Sequence, residues 1–209
     1  MKILFYGDSI TDMGRDRENE HPAFKMGIGY PNFIAGALAY ENPEKYEFVN
    51  RGISGNRVVD LYARIKEDVW NHEPDVLSIL IGINDVWHEI GRQGGVDIVR
   101  WEKVYRMLIE DTLARLPNVK IIICEPFVLK ESATSEQWKE FLTVKEYAKV
   151  AKKLAKEYGL TFVPLQAAFD EVEKAHGAGY YLFDGVHPTA AGAKLIATEW
   201  LKAFQTKIN

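Results

Sequence analysis

Four short polar segments of this 209-residue chain follow apolar runs or precede its last helical pattern. They read GDSIT at residues 7–11, NRGISGN at residues 50–56, GIND at residues 82–85 and DGVHP at residues 184–188. These segments contain serine, histidine and aspartate, which are the groups that cleave an ester by covalent catalysis.

A serine hydroxyl is a weak nucleophile, and it needs an adjacent base that is usually a histidine. The histidine needs a carboxylate that fixes its tautomer and stabilises its charged form. Asp184 and His187 are three residues apart on one short loop, close enough for the carboxylate to reach the imidazole. We expect Ser9 to be the nucleophile and His187 the base. Ser54 is a competing serine in a glycine-rich turn, but it does not lie directly at a strand-to-helix transition as Ser9 does.

An acyl transfer also requires hydrogen-bond donors directed at the oxyanion of the tetrahedral intermediate. The backbone N–H of Ser9, near a helix start, is one candidate. Gly55 is a second, because glycine lets the backbone approach a ligand closely. The side-chain amide of Asn84 is a third candidate donor.

Short apolar runs alternate with helical patterns along the chain. Strands are predicted at residues 2–6, 46–50, 76–81, 120–124 and 161–164, and helices at residues 30–40, 58–71, 98–116, 135–158, 167–175 and 189–205. Runs that are apolar throughout are typical of strands covered on both faces. The alternation predicts an α/β fold with a mainly parallel sheet, in a single domain over residues 1–209. Pro188 is expected at the first position of the last helix.

Three connections are longer than packing requires, at residues 13–29, 88–95 and 126–135. In open parallel sheets, ligands bind beyond the carboxyl ends of the strands, so these connections are candidates for substrate contacts. Trp87 could stack on a sugar ring or pack against a loop, and His88 could line the pocket. Asp8 and Asp85, beside the candidate catalytic residues, are expected to fix loop backbone by local hydrogen bonds.

The four segments resemble the conserved blocks of the SGNH/GDSL hydrolase superfamily. The residues that match its named positions are Ser9, Gly55, Asn84 and His187, with Asp184 as the acid of the triad. The resemblance spans residues 7–188 and implies a flavodoxin-like, three-layer α/β/α fold of about five parallel strands. The strings VNRGISGN, IGINDVW and DGVHPTAAG are similar to intracellular acetylxylan esterases, which act on small acetylated xylo-oligosaccharides.

Composition narrows the classes of function. The formal net charge is −4, from 26 basic and 30 acidic side chains, which argues against nucleic-acid binding. The single cysteine, Cys124, cannot form an internal disulfide and favours a reducing compartment. The short N-terminal apolar run and the lack of a membrane-length stretch predict a soluble, cytoplasmic protein. Neither a metal nor another cofactor is implied.

The sequence therefore predicts a serine esterase that removes short acyl groups, most simply acetyl, from a small carbohydrate. One alternative is a lysophospholipase or thioesterase for longer acyl chains, and another is a non-catalytic binding module on the same fold. A homo-oligomer is also possible, because aromatic-rich loops can cover an interface as readily as a substrate.

Overall fold

Five parallel strands form the sheet in the computed structural model, which describes residues 1–19 and 21–208. They are β1 (Lys2–Gly7), β2 (Glu47–Gly52), β3 (Val76–Leu80), β4 (Lys120–Cys124) and β5 (Thr161–Val163). The strand order is β2-β1-β3-β4-β5, so β1 lies between β2 and β3. In this register Phe5 is paired with Asn50 on one side and Ser78 on the other.

Helices cover both faces of the sheet. They are α1 (Ser9–Asp12), α2 (Pro22–Lys25), α3 (Tyr30–Glu41), α4 (Val58–Asp68), α5 (Ile83–Arg92), α6 (Ile98–Arg115), α7 (Trp138–Phe141), α8 (Val144–Glu157), α9 (Gln166–His176), α10 (Ala178–Tyr181) and α11 (Ala190–Lys207). A 3₁₀ turn over Trp70–His72 follows α4. In the described part of the chain, no helix has both the length and the apolar character needed to cross a bilayer.

The faces of β1 show why this sequence forms three layers. Phe5 points to one face, where its ring lies 5.8 Å from Tyr30 of α3 and 5.7 Å from Trp200 of α11. Tyr6 points to the other face, where its hydroxyl donates to the Leu61 carbonyl of α4 at 2.5 Å. Burying each such large side chain contributes roughly 1.5–3 kcal/mol, so both faces must be covered. The structure confirms the three-layer α/β/α fold.

The single helix predicted at residues 135–158 is wrong, because a turn at residues 142–143 separates α7 from α8. The Thr143 hydroxyl donates to the Glu140 carbonyl at 2.7 Å, and the Thr143 N–H donates to the same carbonyl at 3.1 Å. Threonine hydroxyls that bond to nearby carbonyls compete with the regular helix pattern, which explains the interruption.

The connection predicted at residues 88–95 is also wrong for its first half, since α5 continues to Arg92. Ile83 and Val86 are buried on this helix, with a spacing of three residues that is typical of one helical face. Likewise β2 extends to Gly52, two residues beyond its predicted end, so the NRG of the second polar segment lies within the strand.

Candidate active site

Ser9 lies at the carboxyl end of β1, where the strand turns directly into α1. The Asp8 side chain accepts a hydrogen bond from the Ile10 N–H at 3.0 Å and is therefore the cap of this short helix. Ser9 is the first residue inside the helix. Its hydroxyl is therefore not used for capping the helix.

A line of hydrogen bonds joins three of the residues singled out in the sequence. Ser9 Oγ lies 2.8 Å from His187 Nε2, although the two residues are 178 positions apart. His187 Nδ1 lies 2.6 Å from Asp184 Oδ2. The other carboxylate oxygen, Asp184 Oδ1, accepts from the backbone N–H groups of Val186 at 2.9 Å and His187 at 2.7 Å. This arrangement can move a proton from Ser9 to His187 and stabilise the resulting imidazolium.

The two ionisable partners shift each other's pKa. Burial opposes ionisation of Asp184, but the hydrogen bonds from His187 and the backbone hold the pKa of this carboxyl below its ordinary value. The hydrogen bond to Asp184 raises the pKa of His187 above its ordinary value, although burial acts in the opposite direction. Asp184 is therefore held as a carboxylate, and the neighbouring His187 accepts a proton readily.

Residues 126–135 hold the loop that carries Asp184 and His187. The Leu129 N–H donates to the Gly185 carbonyl at 2.9 Å, and the Ala133 N–H donates to the Asp184 carbonyl at 3.1 Å. Gly185 has a φ of 96°, and a Cβ there would lie 2.5 Å from the Thr134 hydroxyl oxygen. Only glycine fits this approach, which explains why a glycine separates the acid from the base.

The final helix begins later than the sequence predicts. Its first residue is Ala190 rather than Pro188. Thr189 is the N-cap, and its hydroxyl accepts from the Gly192 N–H at 3.3 Å. Pro188 instead pairs with Leu182 in an isolated antiparallel bridge that closes the base of the loop.

The candidate oxyanion donors lie on three segments at the same edge of the sheet. Gly55 has a φ of 81°, and a Cβ added there would meet no atom within 4 Å, so its backbone borders open space. Asn84, in the first turn of α5, is buried and donates one amide N–H to the Asn56 carbonyl at 3.1 Å. An amide has two such hydrogens, so one remains for a ligand. In the described residues, the Ser9 N–H has no acceptor.

A model of the GDSL-like lipase/acylhydrolase family matches residues 5–195. The chain belongs to this family. The family match and the relatives described below show that the chain is a carboxylic ester hydrolase.

Three comparisons illustrate the similarity. An acetylxylan esterase from Geobacillus stearothermophilus is 41% identical, over 96% of this chain and 92% of the relative. The crystal structure of an acetylxylan esterase from that organism superposes with a TM-score of 0.86 at 39% identity, covering 97% of this chain and 93% of that one. A protein assigned as a GDSL-like lipase from Parabacteroides merdae gives a TM-score of 0.91 at 40% identity, covering 99% and 96%.

Asp12 and Asp85 hold the polar segments of this GDSL-family hydrolase together. Asp12 Oδ2, on α1, accepts from the Ser54 N–H at 3.1 Å and from the Ser54 hydroxyl at 3.2 Å. Asp85, on α5, accepts from the Val58 N–H at 3.1 and 3.3 Å, so it contacts a distant segment rather than its own loop. Sequence reasoning missed Asp12, because nothing in the sequence shows which segment a lone aspartate contacts.

Two aromatic rings flank His187 in the hydrolase. Trp87 lies 6.0 Å from the His187 ring and 5.6 Å from Phe141, so it both packs on α7 and borders the site. Phe183, which the sequence analysis did not single out, is stacked on His187 at 5.7 Å and is 55% exposed. His88 instead contacts its own helix, where His88 Nδ1 lies 3.0 Å from Arg92 Nη2.

Among residues 1–19 and 21–208, no three histidine, cysteine or acidic side chains are grouped so that they could hold a metal ion.

Proposed function

We propose that this hydrolase removes acetyl groups from xylo-oligosaccharides, with Ser9, His187 and Asp184 as its catalytic triad. The observation that carries the proposal is the line of hydrogen bonds from Ser9 Oγ to Asp184 Oδ2, at 2.8 and 2.6 Å. The acetylxylan esterase relatives support the substrate class.

Structures of that Geobacillus esterase include variants described as catalytic mutants, in which a serine, an aspartate or a histidine is replaced by alanine. The aspartate and histidine replaced there are three positions apart. Asp184 and His187 have the same spacing, which supports the same division of roles in this chain.

In the proposed first step, Ser9 Oγ attacks the acetyl carbonyl carbon while His187 Nε2 takes the hydroxyl proton. The carbonyl π electrons move to oxygen and form the tetrahedral oxyanion. When this intermediate collapses, the C–O bond to the sugar breaks and His187 returns the proton to the sugar oxygen. Water, deprotonated by His187, then attacks the acetyl-Ser9 ester, and acetate leaves as Ser9 recovers its proton.

The oxyanion is proposed to accept hydrogen bonds from the N–H groups of Ser9 and Gly55 and from the second amide N–H of Asn84. Their support is the free Ser9 N–H, the open space beside Gly55 and the fixed orientation of the Asn84 amide. Removing one such donor in other enzymes lowers kcat by about 10²–10³. Trp87 is proposed to border the sugar, and His88 remains a predicted substrate contact.

Replacing Ser9 with alanine tests the proposal. We expect Ser9→Ala to lower the rate of acetate release from acetylated xylo-oligosaccharides by at least about 10³-fold, because triad residues act as a unit. Acetate release is followed by NMR, with circular dichroism to confirm that the variant folds. The matched control is Thr206→Ala, which removes an exposed hydroxyl near the end of α11.

Near-normal activity in a folded Ser9→Ala variant would rule out the triad. The substrate class is tested separately by comparing acetyl, butyryl and octanoyl esters. A clear preference for the octanoyl ester would replace the acetyl-carbohydrate assignment with the long-chain acylhydrolase alternative.

A further inference from the structure

A cavity of about 290 Å³, separate from the candidate active site, lies along the outer edge of the sheet beside β2. Its lining is rich in cationic side chains and comprises Arg15, Asp16, Arg17, Lys25, Glu47, Phe48, Val49, Asn50, Arg51 and His72. None of these residues belongs to the proposed catalytic triad or to the proposed oxyanion donors.

Arg15 is the unusual member of this lining, because its side chain is only 8% exposed. Its Nε donates to the Gly52 carbonyl at 2.8 Å, which fixes the plane of the guanidinium. The nearest carboxylate oxygen, Asp12 Oδ1, is 4.0 Å from Nε. In the described part of the chain, no acceptor lies within hydrogen-bonding distance of the two terminal nitrogens of Arg15. Buried charges are normally paired, so these nitrogens are suited to an acceptor from outside the chain.

The carboxylates near this cavity have other partners. Asp12 Oδ2 is occupied by Arg17 Nη2 at 2.7 Å and by Ser54. Asp16 Oδ1 accepts from two backbone N–H groups of its own loop, both at 3.0 Å. Glu47 lies 3.6 Å from the Lys2 ammonium group. These carboxylates therefore neutralise the charge of Arg15 only weakly.

The surrounding charges favour an anion at this place. Burial lowers the pKa of the Arg15 guanidinium, and the nearby guanidiniums of Arg17 and Arg51 lower it further, against the opposing effect of Asp12. Burial also lowers the pKa of His72 in the same lining, with Arg51 and Lys2 acting in the same direction. Burial is the largest cause of both pKa shifts. The neighbouring cations act in the same direction, while Asp12, Asp68 and Glu47 act in the opposite direction.

We propose that this cavity is a binding site for a small oxyanion, a phosphate or carboxylate group on a molecule about the size of a monosaccharide, held by Arg15. The two terminal nitrogens of a guanidinium match two oxygens of either group, and the fixed plane of Arg15 presents them without further ordering. Arg17, which is half-exposed and paired with Asp12, belongs to the same lining. Two kinds of molecule carry this chemistry: phosphorylated sugars and acidic sugars such as hexuronic acids.

Binding of inorganic phosphate and of glucuronate to the purified full chain tests the site. Calorimetry and melting temperature are measured at constant ionic strength, with chloride as the reference anion. We expect saturable binding of at least one probe and a rise in melting temperature. Selectivity for phosphate would identify phosphorylated ligands, whereas selectivity for glucuronate would identify acidic sugars.

Variants locate the site. Arg15→Met is expected to weaken binding at least about tenfold, because a hydrogen-bonded charge is lost, and to abolish the rise in melting temperature. Arg17→Gln changes a half-exposed side chain and is expected to weaken binding about two- to fivefold. It replaces Arg15→Met as the test of the site if that variant does not fold. Arg100→Gln, on an exposed arginine of α6, is the matched control. Unchanged affinity in both cavity variants, or no saturable binding to the wild type, would overturn the proposal.

Discussion

At the scale of single residues, Asp184 controls how readily His187 accepts a proton. Its Oδ2 accepts the Nδ1–H of His187, and its Oδ1 is held by two backbone N–H groups, so the carboxylate cannot rotate away. This bond leaves Nε2 as the nitrogen with a free lone pair, which is the tautomer that the Ser9 hydroxyl requires.

Asp184→Asn should therefore change both the rate and its pH dependence. The hydrogen bond to Asp184 raises the pKa of His187, so the wild-type kcat/KM falls as the pH drops through that raised value. Without the carboxylate the pKa of His187 decreases, and the acidic limb moves to lower pH. The asparagine amide also favours the wrong tautomer, which lowers kcat by about 10³–10⁴. The pH profile of p-nitrophenyl acetate hydrolysis measures both effects. An unmoved acidic limb would show that Asp184 does not set the pKa of His187.

Asp8 is a second buried acid, and it has a different role. One carboxyl oxygen caps α1 through the Ile10 N–H, while Oδ2 is buried with no hydrogen-bond partner among the described residues. Burial raises the pKa of Asp8 to about 7, from an ordinary value of 3.8, so the folded state favours the protonated acid. The stabilising effect of this proton is complete below about pH 4 and is lost as the pH rises through about 7.

Asp8→Asn should remove this pH dependence, since asparagine can still cap α1 through its amide oxygen. We expect the difference in unfolding free energy, variant minus wild type, to be more positive at pH 8 than at pH 5. The variant is then relatively more stable at pH 8. Urea unfolding at the two pH values gives the comparison, in which groups common to both proteins cancel. If the difference in unfolding free energy were equal at pH 5 and pH 8, Asp8 would not be a buried, protonated acid.

The residues of the candidate site differ in how far the sequence reveals them. Ser9, Asp184 and His187 were predictable, because covalent ester cleavage requires these side-chain types. All three lie in short, distinctive segments of the sequence. Asp12 and Phe183 were not, because an aspartate in a polar segment and a phenylalanine before an acid are common. Their contacts depend on tertiary packing that local sequence does not encode.

At the scale of elements, the close packing of α1 on β2 holds Ser9, the proposed nucleophile, in place. A Cβ at Gly52 would lie 2.3 Å from the Asp12 backbone nitrogen and 2.7 Å from the Thr11 carbonyl carbon. Because backbone atoms cannot move aside as flexible side chains can, any larger residue at Gly52 must push the two elements apart.

We therefore expect Gly52→Ala to reduce both stability and esterase rate, with a loss of unfolding free energy of about 1–3 kcal/mol from overpacking. Gly36→Ala is the matched control. Gly36 lies inside α3, and a Cβ there meets no atom within 4 Å. It should raise the unfolding free energy by up to about 1 kcal/mol through helix propensity and leave the rate unchanged. Chemical denaturation measures the stability of each variant, and initial rates measure its esterase activity. A Gly52→Ala variant as stable and as active as Gly36→Ala would contradict the packing argument.

The sequence located the strands better than the helices, since α5 and α10 were not predicted. Strands buried on both faces gave continuous apolar runs, and all five were predicted near their observed positions. The errors arose where a side chain redirects the backbone or a polar motif begins a helix. Thr143 interrupts the helix predicted at residues 135–158, and GIND at residues 82–85, which reads as a turn, opens α5.

At the scale of the whole molecule, the site depends on both ends of the chain. Ser9 follows the first strand, and His187 stands just before the last helix. What brings them together is the packing of α11 against the sheet, where the Trp200 ring lies 5.7 Å from Phe5 and its Nε1 donates to the Ser78 hydroxyl at 2.9 Å. The proposed active site at the carboxyl edge of the sheet therefore forms only when both segments are packed on the sheet, and this edge is where ligands bind in open parallel α/β sheets.

This dependence predicts that activity is lost together with the fold. The loop that carries His187 is held by Leu129 and Ala133 from residues 126–135, a segment whose Phe127 and Val128 are fully buried. The loop therefore has little freedom to open while the core remains intact. In a urea titration, we expect esterase activity, far-UV circular dichroism and tryptophan fluorescence to share one midpoint, as in two-state unfolding. Loss of activity at clearly lower urea, with the helical signal unchanged, would show instead that the loop at residues 182–188 opens on its own.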